Sequence, residues 1–264
     1  MHTIRVNDIV LHYREHGRAD APVLVLANSL GTDARIWDGP IALLSDRYRI
    51  ISYDKRGHGL SDAPAGDYTL DQHVDDLAGL VDHLGITSFA LCGVSVGGLI
   101  AQGFALRRPD ALAGLILCDT APKVGDAAMW DARIAAVRAD GMAAIVDGVM
   151  PRWFTQAYRR DKPTALAAWR NMLLCTPVAG YIGTCATLRD TDLRNAIGAI
   201  ATPTLVLVGD EDLATPVDLV RDTAARIPGA RFEIIAACGH IPSIEQPETL
   251  AALLSGFLQE VGHE

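Results

Sequence analysis

Short, unbroken apolar runs alternate along this chain with segments whose apolar residues recur at the helical period. A strand that is buried on both faces is apolar at every position, so these runs predict a parallel sheet with helices on both faces. The predicted parallel strands are residues 23–27, 48–53, 88–92, 113–118, 204–208 and 231–235. The predicted helices are residues 37–44, 70–84, 96–107, 216–226 and 247–258.

The N-terminal residues follow a different pattern. Residues 3–16 alternate in polarity around Asn7-Asp8, which predicts a hairpin. The hairpin brings the predicted sheet to eight strands, most of them parallel. A chain of 264 residues is long enough for one large α/β domain with an insertion.

The strand rhythm stops in the middle of the chain. Residues 123–189 contain no convincing strand and read as several short helices that carry Trp130, Trp153 and Trp169. An insertion between parallel strands is expected to lie over the carboxyl edge of the sheet. We therefore predict a core domain of residues 1–122 and 190–264, and a helical cap of residues 123–189.

A serine lies between small residues where one apolar run ends and a helix is predicted to begin. The segment Gly93-Val94-Ser95-Val96-Gly97-Gly98 has the Gly-x-Ser-x-Gly spacing of a sharp strand-to-helix turn. Such a turn exposes the hydroxyl above the sheet edge, at the positive end of the helix dipole. The alternative is an ordinary tight turn; the flanking strand and helix favour Ser95 as a nucleophile.

A serine hydroxyl needs a general base, and the base needs an acid that orients it. In a doubly wound sheet these groups are expected after later strands, in the order serine, acid, histidine. His240 follows the last predicted strand and is the predicted base. Asp210, Glu211 and Asp212 follow the strand before it, and we favour Asp212 because it lies farthest past the strand.

Other titratable residues receive different predictions. Asp119 also follows a strand and is an alternative acid, although a loop-bracing role is favoured for it. Six other histidines are predicted to be solvated because they lie near the termini or on a polar helix face: His2, His12, His16, His73, His83 and His263.

An oxyanion hole needs two amide donors. The turn itself supplies the amide of Val96. The second donor is expected from the loop after the strand at residues 23–27, where we predict the amide of Leu30.

Composition excludes several classes of function. The net charge of −9 and the absence of a basic run argue against nucleic-acid binding. No apolar stretch resembles a signal peptide or a membrane span, and the five cysteines form no C-x-x-C pair. We predict a reduced cytoplasmic protein that needs no metal and no organic cofactor. The sequence leaves open whether it forms a homo-oligomer.

Taken together, these residues resemble the α/β-hydrolase fold family over essentially the whole chain. Residues 53–62 resemble the family's loop after the fourth strand, in which a histidine such as His58 is usually structural. Many members carry His-Gly in the oxyanion loop, whereas this chain has Asn28-Ser29. The side-chain bonding of that loop must therefore differ.

Three segments, residues 27–32, 93–98 and 128–133, resemble the 3-oxoadipate enol-lactonases. This resemblance implies hydrolysis of 3-oxoadipate enol-lactone to 3-oxoadipate in the β-ketoadipate branch of aromatic catabolism. Ser95 would attack the lactone carbonyl, and the expelled enolate would become a ketone. The implied partner is a small acidic lactone.

The free carboxylate of such a lactone requires a cation or several donors in a buried site. Among the arginines of the predicted cap, Arg133 lies three residues after Trp130 and shares a helix face with it. We predict that Arg133 binds the carboxylate, with Trp130 and Trp153 beside the apolar part of the substrate. The alternatives are a solvated arginine and tryptophans that only pack the cap on the core.

Other functions use the same scaffold. A carboxylesterase, a cofactor-free haloperoxidase-like enzyme and a carbon–carbon bond hydrolase would share the serine triad. A haloalkane dehalogenase is disfavoured because that chemistry uses an aspartate at the position of Ser95. A ligand receptor on a hydrolase scaffold is the alternative from outside the enzymes, since fold alone does not establish function.

Overall fold

Eight strands form a single sheet in the computed structural model, which describes residues 1–264. The strands are β1 His2–Val6, β2 Ile9–His16, β3 Val23–Ala27, β4 Arg49–Tyr53, β5 Phe89–Val94, β6 Leu112–Cys118, β7 Thr204–Gly209 and β8 Arg231–Ile235. Their spatial order is β1-β2-β4-β3-β5-β6-β7-β8, and only the pairs β1–β2 and β2–β4 are antiparallel. The prediction of a mostly parallel eight-stranded sheet is confirmed.

Eleven helices accompany the sheet. They are α1 Asp38–Leu44, α2 Leu70–His83, α3 Val96–Arg107, α4 Ala127–Asp140, α5 Ala143–Trp153, α6 Gln156–Asp161, α7 Pro163–Leu174, α8 Val178–Asp190, α9 Val217–Arg226, α10 Pro242–Glu245 and α11 Pro247–Glu260. Helices α4 to α8 lie between β6 and β7, and we call them the inserted helices. The division into two domains at residues 122 and 190 stays a prediction.

Each face of the sheet has its own apolar core. Along β3, Leu24 and Leu26 belong to one core, and Val25 and Ala27 belong to the other, as the two-residue period of a strand requires. The inserted helices add their buried side chains to the core of Leu24 and Leu26. The inserted helices therefore share one continuous core with that face of the sheet.

Local sequence explains where the key helices begin. Thr69 caps α2: its hydroxyl accepts a hydrogen bond from the Gln72 amide, and the Thr69 amide donates to Gln72 Oε1. Helix α3 is apolar on all sides and buried from Val96 to Ala105, because it packs between the sheet and α2. No helix of the structure combines the length and apolar composition that crossing a membrane requires.

Two of the histidine predictions are wrong. His12 is buried and its Nδ1 lies 2.7 Å from Asp54 Oδ2. His73 is buried on the inner face of α2 beside Tyr68. Nearness to the N-terminus suggested a solvated His12, but its partner Asp54 holds it in the interior. His73 was placed on a polar helix face, but it occupies an inward position of α2.

Candidate active site

Ser95 has a strained backbone at the turn from β5 into α3. Its φ of 57° and ψ of −119° are unfavourable for a residue with a side chain, at a cost of about 1–3 kcal/mol. Two hydrogen bonds hold it there: the Ser95 amide donates to Cys118 O at 3.0 Å, and Thr120 Oγ1 donates to Ser95 O at 2.6 Å. A side chain at Gly93 would overlap the Gly97 carbonyl, so the close turn requires glycine.

Asp212 and His240 lie in the loops that follow β7 and β8. The distance from His240 Nδ1 to Asp212 Oδ2 is 2.8 Å, and both residues are buried. Asp212 also accepts hydrogen bonds from Thr215 Oγ1 at 2.6 Å and from the Ala214 amide at 2.7 Å. These groups hold the carboxylate in one orientation toward the imidazole.

The electrostatics of Asp212 favour its ionised form. Burial alone would raise its pKa, but the His240 imidazole and the hydrogen bonds from His240 and Thr215 outweigh burial. The pKa of Asp212 is therefore lowered from its ordinary value of 3.8.

Ser95 and His240 line the same cavity. No hydrogen bond joins their side chains in this structure, and contacts of this kind often tighten only when substrate binds. The His240 amide donates to Trp153 O at 2.9 Å, so the end of α5 holds the histidine loop in place. The structure thus brings the three predicted triad residues to one place, with the serine–histidine bond still to form.

The predicted oxyanion donors flank Ser95. Leu30 lines the cavity, and its amide donates to no group of the protein. Val96 is the first residue of α3, is fully buried and does not line the cavity, so its role as a donor stays a prediction. A side chain at Gly97 would overlap Ala27 O. Because glycine has no side chain, the end of β3 and the loop after it can approach helix α3 closely.

The Leu30 loop is held by side chains from the loop after β4. Lys55 Nζ donates to Ser29 O at 2.5 Å, and the Gly31 amide donates to His58 Nε2 at 2.9 Å. Burial lowers the pKa of His58 well below its ordinary value of 6.5, so the ring is neutral and can accept that bond. His58 therefore has the structural position that the family resemblance implies.

Asp119 lies beside the aspartate–histidine pair. Its Oδ1 accepts a hydrogen bond from the Gly209 amide at 2.9 Å, which braces the end of β7, while Oδ2 has no partner. Burial and the Asp212 carboxylate raise the pKa of Asp119 well above 3.8. One ligand atom from each of Asp119, Asp212 and His240 lies within 4.8 Å of the others. Since Asp212 and His240 Nδ1 are already engaged with each other, this set suits a metal ion poorly.

The inserted helices supply the opposite wall of the cavity, including Trp130, Arg133 and Trp153. The Arg133 guanidinium lies 5.5 Å from the centre of the Trp130 ring and donates to Tyr181 Oη at 3.4 Å. Trp130 Nε1 donates to Val124 O at 2.7 Å, which fixes the ring. All three residues predicted for substrate binding therefore face the same space as Ser95.

Sequence reasoning missed a second arginine in this wall. Arg152 lines the cavity and is half-buried, as is Arg133, and neither forms a salt bridge. Burial and the nearby Arg133 lower the pKa of Arg152 from 12.5. The sequence offered one signal for Arg152: it is one of seven arginines in the predicted cap. The spacing to Trp130 favoured Arg133 and gave no reason to choose Arg152.

Known proteins with related sequences and structures share this architecture. The model of the α/β-hydrolase fold family matches residues 22–247. 3-Oxoadipate enol-lactonase 2 of Acinetobacter baylyi is 36% identical over 246 residues, which cover 93% of this chain and 92% of that protein.

Two solved structures superpose closely on this one. The enol-lactonase from Burkholderia xenovorans has a TM-score of 0.95 at 39% identity, covering 97% of this chain and 99% of the other. A thermophilic esterase from Thermogutta terrifontis, solved with malate bound, has a TM-score of 0.93 at 31% identity and covers 100% of both chains.

Proposed function

The chain belongs to the α/β-hydrolase fold family, and we propose that it is a serine hydrolase that opens the ring of 3-oxoadipate enol-lactone to give 3-oxoadipate. The reaction would lie in the β-ketoadipate branch of aromatic catabolism, in the cytoplasm. The proposal is supported by relatives with this activity and by the chemistry of the cavity.

In the proposed mechanism, Ser95 Oγ attacks the lactone carbonyl while His240 Nε2 takes its proton. Asp212 holds the imidazole through Nδ1 and stabilises the imidazolium that forms. The amides of Val96 and Leu30 donate to the oxyanion, and one such donor is worth about 10²–10³ in rate.

Collapse of the tetrahedral intermediate breaks the ring carbon–oxygen bond. The enolate leaves, takes the proton from His240 and becomes a ketone, while the acyl group stays on Ser95. Water activated by His240 then releases the new carboxylate and restores the serine. Every proton in this sequence moves through His240, so the residues present suffice.

The observation that carries the substrate assignment is the pair of arginines above Ser95. Arg133 and Arg152 face one cavity with no acidic residue in salt-bridge contact, although charges removed from water are expected to be paired. An anionic ligand would supply the missing partner. 3-Oxoadipate enol-lactone carries one free carboxylate, which we assign to Arg133, with Arg152 adding attraction beside it.

The test compares an acidic lactone with a neutral ester. Arg133→Leu and Arg152→Leu should lower kcat/KM for the enol-lactone by about 10–10²-fold, since hydrogen bonds to charged groups contribute about 1.5–3 kcal/mol. Turnover of p-nitrophenyl acetate should change by less than about threefold. Arg170→Leu is the matched control, because Arg170 belongs to the inserted helices but pairs with Asp147 at the surface. An equal loss on both substrates would defeat a carboxylate-specific role.

A carboxylesterase is the second candidate, favoured by the likeness to the Thermogutta esterase. A panel of lactones and esters separates the two activities. An enol-lactonase consumes the enol-lactone far faster than any neutral ester, followed as loss of ultraviolet absorbance. An esterase shows the reverse order.

A further inference from the structure

One peptide group of the loop after β3 connects a buried lysine to the cavity. The carbonyl of the Ser29–Leu30 peptide accepts a hydrogen bond from Lys55 Nζ at 2.5 Å, beside bonds from the Thr32 hydroxyl at 2.9 Å and the Thr32 amide at 3.4 Å. The amide of the same peptide belongs to Leu30, which lines the cavity, and it donates to no group of the protein. We propose that Lys55 is a positioning residue that orients and polarises this peptide as an oxyanion donor. The proposal rests on the serine-hydrolase mechanism above, but not on the lactone as substrate.

Packing alone does not account for a lysine here. Lys55 is 1% exposed, and the contact of Nζ with Ser29 O is the only hydrogen bond of its side chain. It forms no salt bridge: the nearby Asp33 pairs with Arg35, and Asp54 pairs with His12. An apolar side chain of similar volume would avoid the desolvation of an ammonium at this position.

The charge of Lys55 is set by opposing effects. Burial lowers the pKa of Lys55 well below its ordinary value of 10.5, while the carboxylates of Asp54 and Asp33 favour the charged form. The neighbouring His58 and His73 are held neutral because burial lowers their pKa values as well. Lys55 Nζ carries N–H groups in either protonation state, so it can donate to Ser29 O with or without a charge.

A donor on the carbonyl changes what the amide can do. A peptide group is planar, so fixing its oxygen also fixes the direction of its N–H. Hydrogen bonds in a chain strengthen one another, so a donor on the carbonyl strengthens the amide of the same peptide as a donor. The bond from Lys55 should therefore make the Leu30 amide a better and better-aimed donor to an oxyanion.

The next amide in the loop is directed elsewhere. The Gly31 amide donates to His58 Nε2 at 2.9 Å, and the φ of 72° at Gly31 turns the chain at this point. Lys55 and His58 come from the same loop after β4. The Gly31 amide is therefore occupied, whereas the Leu30 amide has no partner in the protein.

The experiment uses two variants of Lys55. Lys55→Met removes the Nζ donor and fills the space of the side chain, and Lys55→Gln keeps a donor that carries no charge. Lys123→Met is the matched control, because Lys123 also donates to a backbone carbonyl, that of Arg189 at 2.7 Å. For each protein we would measure kcat and KM on p-nitrophenyl acetate. We would also measure the inhibition constant of a trifluoromethyl ketone that forms a tetrahedral adduct with serine, and the urea midpoint of unfolding.

We expect Lys55→Met to lower kcat by about 10–10²-fold, part of the effect of one whole donor, with KM within about twofold. Affinity for the ketone should fall by the same factor. Lys55→Gln should lie between Lys55→Met and the wild type, and the control should match the wild type. A change that appears in KM or in the unfolding midpoint but not in ketone affinity would overturn the proposal, as would an unchanged kcat.

The outcomes also separate this proposal from the one before it. A wild type that turns over the ester but not the enol-lactone overturns the lactonase assignment and leaves the Lys55 comparison intact. A wild type with no ester turnover and no labelling by an organophosphate overturns both.

Discussion

Two buried aspartate–histidine pairs occur in this protein at nearly the same distance, and only one of them faces the serine. His240 and Asp212 are 2.8 Å apart, and His12 and Asp54 are 2.7 Å apart. Both pairs are shielded from water, so neither distance nor burial distinguishes them. What differs is what each pair touches besides itself.

The second pair braces a loop. Asp54 accepts hydrogen bonds from the amides of Ala34 and Leu60 at 2.8 and 2.9 Å, so it holds two loop segments beside β2. The cavity beside it, about 470 Å³, is larger than the one of about 80 Å³ beside Ser95. No residue other than glycine lining the larger cavity has a positive φ. A strained serine and amides without partners therefore define the candidate site better than an aspartate–histidine pair or a large cavity does.

The largest expected effect separates the two histidines. His240→Ala should lower kcat on p-nitrophenyl acetate by about 10⁴-fold or more, because the serine loses its base. His12→Ala should leave kcat within about threefold and lower the urea midpoint instead. Comparable losses of kcat in the two variants would break the distinction between the pairs.

The next effect separates the two aspartates. Asp212→Asn should lower kcat by about 10³–10⁴-fold, since the amide favours the wrong imidazole tautomer. Asp54→Asn should lower the free energy of unfolding by about 1–3 kcal/mol, because an amide nitrogen would face donors that the carboxylate now satisfies. Steady-state kinetics and urea titrations on both variants measure the split. A kinetic defect confined to Asp54→Asn would reverse the assignment.

The smallest expected effect is on the pH dependence of stability, in which the carboxyls of Asp54 and Asp119 should act in opposite directions. Hydrogen bonds from His12, Leu60 and Ala34 outweigh burial and hold the pKa of Asp54 below 3.8, so its contribution to stability is lost as pH falls through that lowered value. Asp119 has a raised pKa, so its contribution is lost as pH rises above 3.8.

Asp119→Asn removes the titrating carboxyl, and with it the pH-dependent contribution of Asp119 to stability. The asparagine keeps an oxygen that can accept from the Gly209 amide. Relative to wild type, the variant should gain unfolding free energy between pH 4.5 and pH 7.5, because the wild type loses the contribution of the protonated carboxyl in that range. Urea titrations at the two pH values measure the gain. A difference that stays constant with pH would show that the Asp119 carboxyl does not titrate as its surroundings indicate.

Local pattern predicted most of the sheet, because strands buried on both faces are apolar throughout. The strand predicted at residues 23–27 and the hairpin around Asn7 agree with β3, β1 and β2. The order of elements also predicted which loops carry Ser95, Asp212 and His240, since carboxyl ends of parallel strands meet at one edge. Their catalytic roles stay predictions.

Local pattern did not predict the positions of residues whose contacts are far away in the sequence. Arg152 and Arg133 lie on different helices and meet only because α4 and α5 pack together over the sheet. His12 was misplaced because Asp54, its partner, is 42 residues away. The sequence did not predict a role for Lys55, because its side chain contacts a backbone carbonyl 26 residues earlier in the chain.

Residue patterns alone were enough to predict the layered architecture and the strand-to-helix turn that presents a serine. Periodicity and glycine spacing are local properties, and a polypeptide carries them wherever it folds. Three properties arise only in the folded chain: the Asp212–His240 pair lies at the cavity of the serine, Arg133 and Arg152 lack salt-bridge partners, and the Leu30 amide donates to no group of the protein. Those properties depend on groups that burial brings together from far apart in the chain, and hydrogen bonding between them has no local signature.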